Sequence, residues 1–117
     1  MKFSFKKIKK SFLDAYSGLK IAGRGQNFCL MMIIAFGVIF LGFYFGIQYY
    51  EWLIIILAIG LVLILEMINT VLEKTLDILE PNYSKKIKII KDLMAGIVLI
   101  ACILAVVLGL LIFAQYF

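Results

Sequence analysis

The sequence predicts an all-α integral membrane protein, with an N-terminal amphipathic surface helix followed by three transmembrane helices. Of its 117 residues, 65% are hydrophobic and 16% are charged. A typical soluble domain is about 45–50% apolar and about 25% charged. Three apolar stretches also reach the ~20 residues that a membrane-spanning helix needs. A chain of this length forms one domain at most, so we expect residues 1–117 to form a single membrane domain.

The first element is an amphipathic helix predicted within residues 1–26. Its apolar side chains recur at spacings of three and four with lysines between them: Phe5, Ile8, Phe12, Ala15, Tyr16 and Leu19. A basic helix of this pattern lies in the plane of the membrane interface. A plain charged anchor that only sets the topology is the alternative.

The transmembrane helices are predicted at residues 27–47, 52–72 and 93–114. The first and third spans contain no charged residue, whereas the second contains Glu66. Backbone groups in lipid must be satisfied within the segment, so each span is helical. Pro81 ends the second helix, which we expect to continue past the membrane to about Leu79. A further helical segment, Lys85–Asp92, is expected to run into the third span.

The basic residues predict how the chain crosses the membrane. All 12 lysine and arginine residues lie either before the first span or between the second and third spans. Since cytoplasmic loops carry the excess of basic residues, the N-terminus is expected in the cytoplasm and the C-terminus outside. This topology accounts for the net charge of +5, and we therefore expect no nucleic-acid partner.

The residue content excludes several kinds of active site. The chain has no histidine, which excludes Ser-His-Asp triads, Cys-His pairs and histidine-based metal centres. Cys29 and Cys102 both lie in apolar runs and are interpreted as small buried hydrophobic residues. Neither a G-x-x-x-x-G-K-[ST] nor a G-x-G-x-x-G motif occurs.

One face of the second predicted helix is polar and acidic. Its members fall within about 100° of arc at 3.6 residues per turn: Glu66, Asn69, Thr70, Glu73 and Asp77. If Trp52 marks the outer interface, Glu66 lies about 21 Å along the helix axis, which is about 9 Å inside the cytoplasmic boundary. Glu73 then lies at about that boundary.

These depths predict two separate roles for the acidic residues. An ionisable residue inside a span is costly and is a functional candidate by default. We expect Glu66 to take a proton from a hydroxyl in the lipid, and Glu73 to hold a Mg²⁺ ion that neutralises a phosphate. Polar contact between helices is the alternative interpretation of this face.

Two segments of the sequence resemble the prokaryotic diacylglycerol kinase and undecaprenol kinase family. They are EMINTVLE at residues 66–73, followed by Asp77, and KDLMAGIVL at residues 91–99. The order of surface helix and three spans also matches. The resemblance implies an Mg²⁺-dependent lipid kinase with ATP as co-substrate in the bacterial inner (plasma) membrane. It further implies a homotrimer whose active sites are shared between subunits.

The resemblance also implies roles for individual residues. Glu66 matches the general base and Glu73 the Mg²⁺ ligand, while the matches to the nucleotide site are Asn69, Tyr83, Lys91 and Asp92. A second metal-binding glutamate of the family aligns with Gln26, after Gly18-Leu19-Lys20. Gln26 offers a neutral oxygen there in place of a carboxylate.

The lipid acceptor and the activity leave alternatives. Thr70 and the Met94-Ala95-Gly96 stretch look more like the undecaprenol kinase branch than the diacylglycerol kinase branch. One alternative function is a catalytically impaired relative that acts in membrane assembly or regulation, which Gln26 favours. Another is a small holin-like or transporter-like protein in which Glu66 lies on an ion path.

Overall fold

The structure, a computed structural model, describes residues 4–82 and 84–117 and is helical apart from short links. Its four α-helices are α1 (Phe5–Ala22), α2 (Gln26–Phe45), α3 (Tyr49–Leu79) and α4 (Lys85–Phe113), and a 3₁₀ turn follows at Ala114–Tyr116. Helices α2, α3 and α4 are each long and apolar enough to cross a membrane. This confirms the predicted all-helical membrane class with three spans.

Helix α1 occupies the predicted surface segment. The Ser4 hydroxyl caps its N-terminus by accepting a hydrogen bond from the Lys7 backbone N–H, and Gly23 follows its last turn. Its large apolar side chains are exposed, including Phe5 and Phe12. Such a face needs an apolar cover; that the membrane surface provides it stays a prediction.

The turn between α2 and α3 lies earlier in the chain than predicted, at residues 46–48 rather than 48–51, and Gly46 ends α2. Gly46 has φ 62°, in the left-handed region where glycine carries no steric penalty, and the Ile47 N–H bonds to the Gly42 carbonyl across the turn. The helix therefore ends at Phe45, and α3 begins at Tyr49 rather than at Trp52. Helix α2 also begins one residue before the predicted span, at Gln26, and α4 ends one residue before the predicted limit, at Phe113.

Glu51 lies between the first two predicted spans, yet it is the most deeply buried side chain that the structure describes. It lies in the first turn of α3 with 1% of its surface exposed. One carboxylate oxygen, Oε1, accepts hydrogen bonds from the Gln48 backbone N–H at 3.0 Å and from the Tyr116 hydroxyl. The cluster around it joins the α2–α3 turn to the C-terminal residues, which pack against Phe45 and Phe113.

We expect Tyr116→Phe to destabilise the protein by about 1–3 kcal/mol, because the buried Glu51 carboxylate then loses one of its two donors. The phenylalanine ring keeps the contact with Phe45, so the change isolates the hydroxyl. Thermal unfolding in detergent measures the effect. Tyr49→Phe is the matched control, since Tyr49 is an exposed tyrosine in the same region. Equal unfolding temperatures for the two variants would contradict this role.

Helices α3 and α4 form the main packing interface and place the polar face of α3. The buried residues of α3 recur at spacings of three, four and seven along one face: Ile55, Val62, Glu66, Asn69 and Leu76. At 1.5 Å per residue, the 31 residues of α3 span about 46 Å, against ~30 Å of hydrocarbon. The helix ends at Leu79 and α4 starts at Lys85, both as predicted. The C-terminal half of α3 therefore carries the acidic residues towards one end of the bundle.

Candidate active site

A polar pocket of about 390 Å³ lies between the start of α2 and the C-terminal half of α3. It brings together the whole predicted polar face of α3 and Gln26. Its lining consists of Gly25, Gln26, Asn27, Glu66, Asn69, Thr70, Glu73, Lys74 and Asp77. The predicted polar face therefore lines a pocket.

The short link between α1 and α2 supplies the second wall. Gly23 and Gly25 both lie in this link. Gly25 has an extended backbone and directly precedes α2, which begins at Gln26. Gln26 and Asn27 are thus in the first turn of α2, with exposed side chains beside the acidic face of α3. The positive end of the α2 dipole lies at this wall and favours negative charge in the pocket.

Glu66 and Asn69 are the buried members of the pocket. Glu66 has 6% of its surface exposed and Asn69 has 9%. The Thr70 hydroxyl donates to the Glu66 backbone carbonyl at 3.1 Å, a local bond that satisfies Thr70 within its own helix. Of the residues on this face, the buried Glu66 carboxyl group has the highest free-energy cost of burial.

Asn69 lies between Glu66 and the exposed Glu73 along α3. Its Nδ2 donates to Glu73 Oε1 at 3.5 Å, a long hydrogen bond. Its Oδ1 is buried and has no hydrogen-bond partner in the described part of the chain. A buried acceptor without a donor is uncommon in proteins, so the pocket holds an unused polar group beside its carboxylates.

Of the other predicted nucleotide-site residues, Lys91 contacts the pocket wall and Asp92 does not line the pocket. Lys91 of α4 reaches α3, where its Nζ pairs with Asp77 Oδ1 at 2.8 Å, so it contacts the pocket wall through Asp77. Asp92 pairs with Lys88 on α4 at 2.7 Å and does not line the pocket. Tyr83 lies outside the residues that the structure describes.

The oxygen donors of the pocket fit a hard cation. Among the described residues, no group of three or more acidic, cysteine or histidine side chains is close enough together to hold a metal ion. Mg²⁺ does not need such a cage, because it is usually held by one or two carboxylates together with substrate phosphates and waters. Glu66, Glu73, Asp77 and Gln26 line the pocket and carry oxygen atoms of the kind that Mg²⁺ binds.

Lys74 is a charged residue of the pocket lining that was not predicted as a site residue. In the sequence it is one of the 12 basic residues that predict the topology. It follows Glu66 by eight positions, which places it about 80° round the helix, at the edge of the polar face beside Thr70. That angle is the signal that could have assigned it to the pocket.

A second, apolar cavity of about 410 Å³ lies among α2, α3 and α4. It starts about one helical turn from the polar pocket on both walls, at Leu63 before Glu66 and at Met31 after Asn27. Small residues leave the space between the helices: Ala35, Ala58, Ala105 and Gly109. The polar pocket and the apolar cavity are therefore neighbours along α3.

Comparison with known proteins gives a consistent family. Residues 14–113 match the family model for prokaryotic diacylglycerol kinase. The chain is 35% identical over 105 residues to the undecaprenol kinase of Bacillus subtilis, covering 89% of this chain and 85% of that protein. It is also 35% identical over 101 residues to the diacylglycerol kinase of Synechocystis sp., covering 85% of this chain and 58% of that protein. The chain therefore belongs to the prokaryotic diacylglycerol kinase family, a family of membrane lipid kinases.

Proposed function

We propose that the protein is an Mg²⁺-dependent kinase that transfers the γ-phosphate of ATP to the hydroxyl of a membrane lipid, with undecaprenol favoured over diacylglycerol. The observation that carries the proposal is the buried Glu66 in a pocket shared with Glu73, Asn69 and Gln26. Family membership supports the kinase and argues against a holin-like or transporter-like protein. The apolar cavity next to the pocket supports an acceptor that lies in the membrane.

Glu66 is the proposed general base. Its carboxylate accepts the proton of the lipid hydroxyl as the lipid oxygen bonds to the γ-phosphorus. The bond between that phosphorus and the β–γ bridging oxygen breaks, and ADP leaves with that oxygen. Phosphoryl transfer depends on positioning and on charge stabilisation more than on covalent chemistry by the protein, so a rigid and buried base suits the task.

Glu73 and Gln26 are the proposed ligands of Mg²⁺, and Asn69 positions Glu73. When bound, Mg²⁺ neutralises charge on the phosphates during transfer. The Asn69 amide holds one Glu73 oxygen, which leaves the other oxygen available to the ion. Gln26 faces the same pocket from α2 and supplies a neutral amide oxygen.

The proposed nucleotide site includes Asn69, Glu73, Tyr83, Lys91 and Asp92. Lys91 holds Asp77 of the pocket wall, which supports a place next to the phosphates. Within one chain Asp92 pairs with Lys88 and does not line the pocket. A homotrimer with sites shared between subunits gives Asp92 a pocket on a neighbouring subunit, and we include that assembly in the proposal.

The proposed acceptor is undecaprenol. The two named relatives are equally identical to this chain, but the alignment covers 85% of the undecaprenol kinase and 58% of the diacylglycerol kinase. Thr70, in the pocket wall, and the Met94–Gly96 stretch support the same choice. For location, we propose the bacterial inner membrane with the N-terminus in the cytoplasm and the C-terminus outside, because the 12 basic residues then lie on the cytoplasmic side.

The test is transfer of labelled phosphate from ATP to lipid by the purified protein in vesicles. One set of vesicles contains undecaprenol, one contains diacylglycerol and one contains neither. We expect a labelled lipid phosphate that depends on Mg²⁺ and forms faster with undecaprenol. Equal rates with the two lipids would overturn the proposal that undecaprenol is the preferred acceptor. No labelled lipid with either acceptor would favour the catalytically impaired alternative.

Gln26→Glu is expected to raise the rate, or to lower the Mg²⁺ concentration needed for half the maximal rate. The substitution adds a charged ligand to the pocket, and an acidic residue in the first turn of α2 also interacts favourably with the helix dipole. The Mg²⁺ dependence of lipid phosphorylation measures it. Asn27→Asp is the matched control, because it adds the same charge to the same turn one position away. If the two variants respond alike, Gln26 has no special contact with the metal.

A further inference from the structure

The charges that line the polar pocket leave a triphosphate short of cations. Three carboxylates contribute to the lining, from Glu66, Glu73 and Asp77, and the described lining has one basic residue, Lys74. Lys91 stands behind this wall with its ammonium group paired to Asp77. A single Mg²⁺ ion does not balance both the acidic wall and a nucleotide triphosphate.

Lys74 is placed to supply the missing positive charge. It lies one turn beyond Thr70 at the edge of the polar face, level with Glu73 to within one residue along α3. Its side chain is exposed to the pocket, and the ion pairs found in the described residues do not include it. A lysine ammonium binds phosphate as a compact charge with three donors.

A second observation indicates that this part of the pocket binds a ligand. Asn69 is more than nine-tenths buried, lines the same pocket and keeps a buried Oδ1 without a donor. An orphaned acceptor of this kind fits a site completed by a bound cation or donor. It lies one turn before Glu73, the level at which Lys74 enters the pocket.

We infer that Lys74 binds the β- and γ-phosphate end of the nucleotide, next to the metal ligand Glu73. The inference rests on the proposed function, because it assigns a residue to the nucleotide of the proposed reaction. Lys74 then adds a second lysine to the nucleotide site, beside Lys91, which is paired with Asp77 of the pocket wall. This second lysine also explains how an acidic pocket accepts an anionic substrate.

The test compares nucleotide binding by the parent, Lys74→Met and Lys74→Arg proteins in phosphatidylcholine vesicles with Mg²⁺ present. A charged hydrogen bond of this kind corresponds to about 10- to 100-fold in affinity. We expect Lys74→Met to weaken binding of ADP and of a non-hydrolysable ATP analogue by that factor, with AMP binding nearly unchanged. Lys74→Arg keeps the charge and is expected to retain most of the affinity.

Lys85→Met is the matched control, because Lys85 is an exposed lysine at the start of α4 that does not line the pocket. An equal loss in Lys74→Met and Lys85→Met, or an equal loss for AMP and the ATP analogue, would overturn the inference. If Lys74 only contacts lipid headgroups, its loss changes association with vesicles containing phosphatidylglycerol and leaves nucleotide affinity intact, which also overturns it. A parent protein that binds no nucleotide refutes the proposed function itself, an outcome distinct from these.

Discussion

Glu66→Gln is expected to lower the rate of lipid phosphorylation by about 10²–10⁴-fold, the usual contribution of a general base. The amide keeps the size and much of the hydrogen bonding of the carboxyl group but cannot accept the hydroxyl proton. Nucleotide affinity and thermal stability are expected to stay close to those of the parent. Rate and affinity are measured on the same preparation, by labelled phosphate transfer and by nucleotide titration.

Glu51→Gln is the matched control for this prediction. Both residues are buried carboxyl groups of α3, but Glu51 lies in the first turn of the helix, bonded to Tyr116 and far from the polar pocket. We expect Glu51→Gln to change stability more than the rate per folded molecule. A Glu66→Gln variant that phosphorylates lipid at the parent rate would show that Glu66 only joins helices, since an amide does that as well as an acid.

The candidate site could be predicted largely because most of it lies along one helix. A period of 3.6 residues places Glu66, Asn69, Glu73 and Asp77 on one face whatever surrounds them. The structure brings these four together in one pocket. Gln26, from another helix, could be placed there only through the resemblance, because periodicity says nothing about which element covers a face.

Features that depend on contacts between distant segments were beyond the sequence pattern. Glu51 is a charged residue in a polar stretch of the sequence, which predicts an exposed link. It is buried instead, because Tyr116, 65 residues later in the chain, donates a hydrogen bond to it. Lys91 pairs with Asp77 and Asp92 with Lys88. Which of two adjacent charges faces α3 depends on the rotation of α4 against α3, and that is fixed by packing along the whole interface.

Lys74 shows a different limit. The excess of lysines on one side of the membrane already explains it, so topology removes the reason to look for a second role. Its angle of about 80° from Glu66 was available from the sequence. The angle places Lys74 in the pocket only because the start of α2 forms the opposite wall, and the sequence does not predict that packing.

Glu73→Gln is expected to weaken Mg²⁺-dependent nucleotide binding by about 100-fold or more. Loss of a residue that merely supports a metal ligand typically costs 10–100-fold in metal affinity, and Glu73 is proposed as the ligand itself. The glutamine oxygen can still accept the Asn69 hydrogen bond, so the pocket is expected to keep its shape. Titration of a fluorescent ATP analogue at several Mg²⁺ concentrations measures the effect.

Two further variants make this prediction specific to the metal. Glu80→Gln removes an exposed carboxylate at the end of α3, outside the pocket, and is expected to leave the Mg²⁺ dependence unchanged. Adding Gln26→Glu to the Glu73→Gln protein returns one carboxylate to the pocket from the α2 side. If the two positions hold one ion, the double variant regains part of the lost affinity. If affinity stays as low as in Glu73→Gln alone, the two side chains do not share a metal, and parental Mg²⁺ dependence in Glu73→Gln would remove Glu73 from the site altogether.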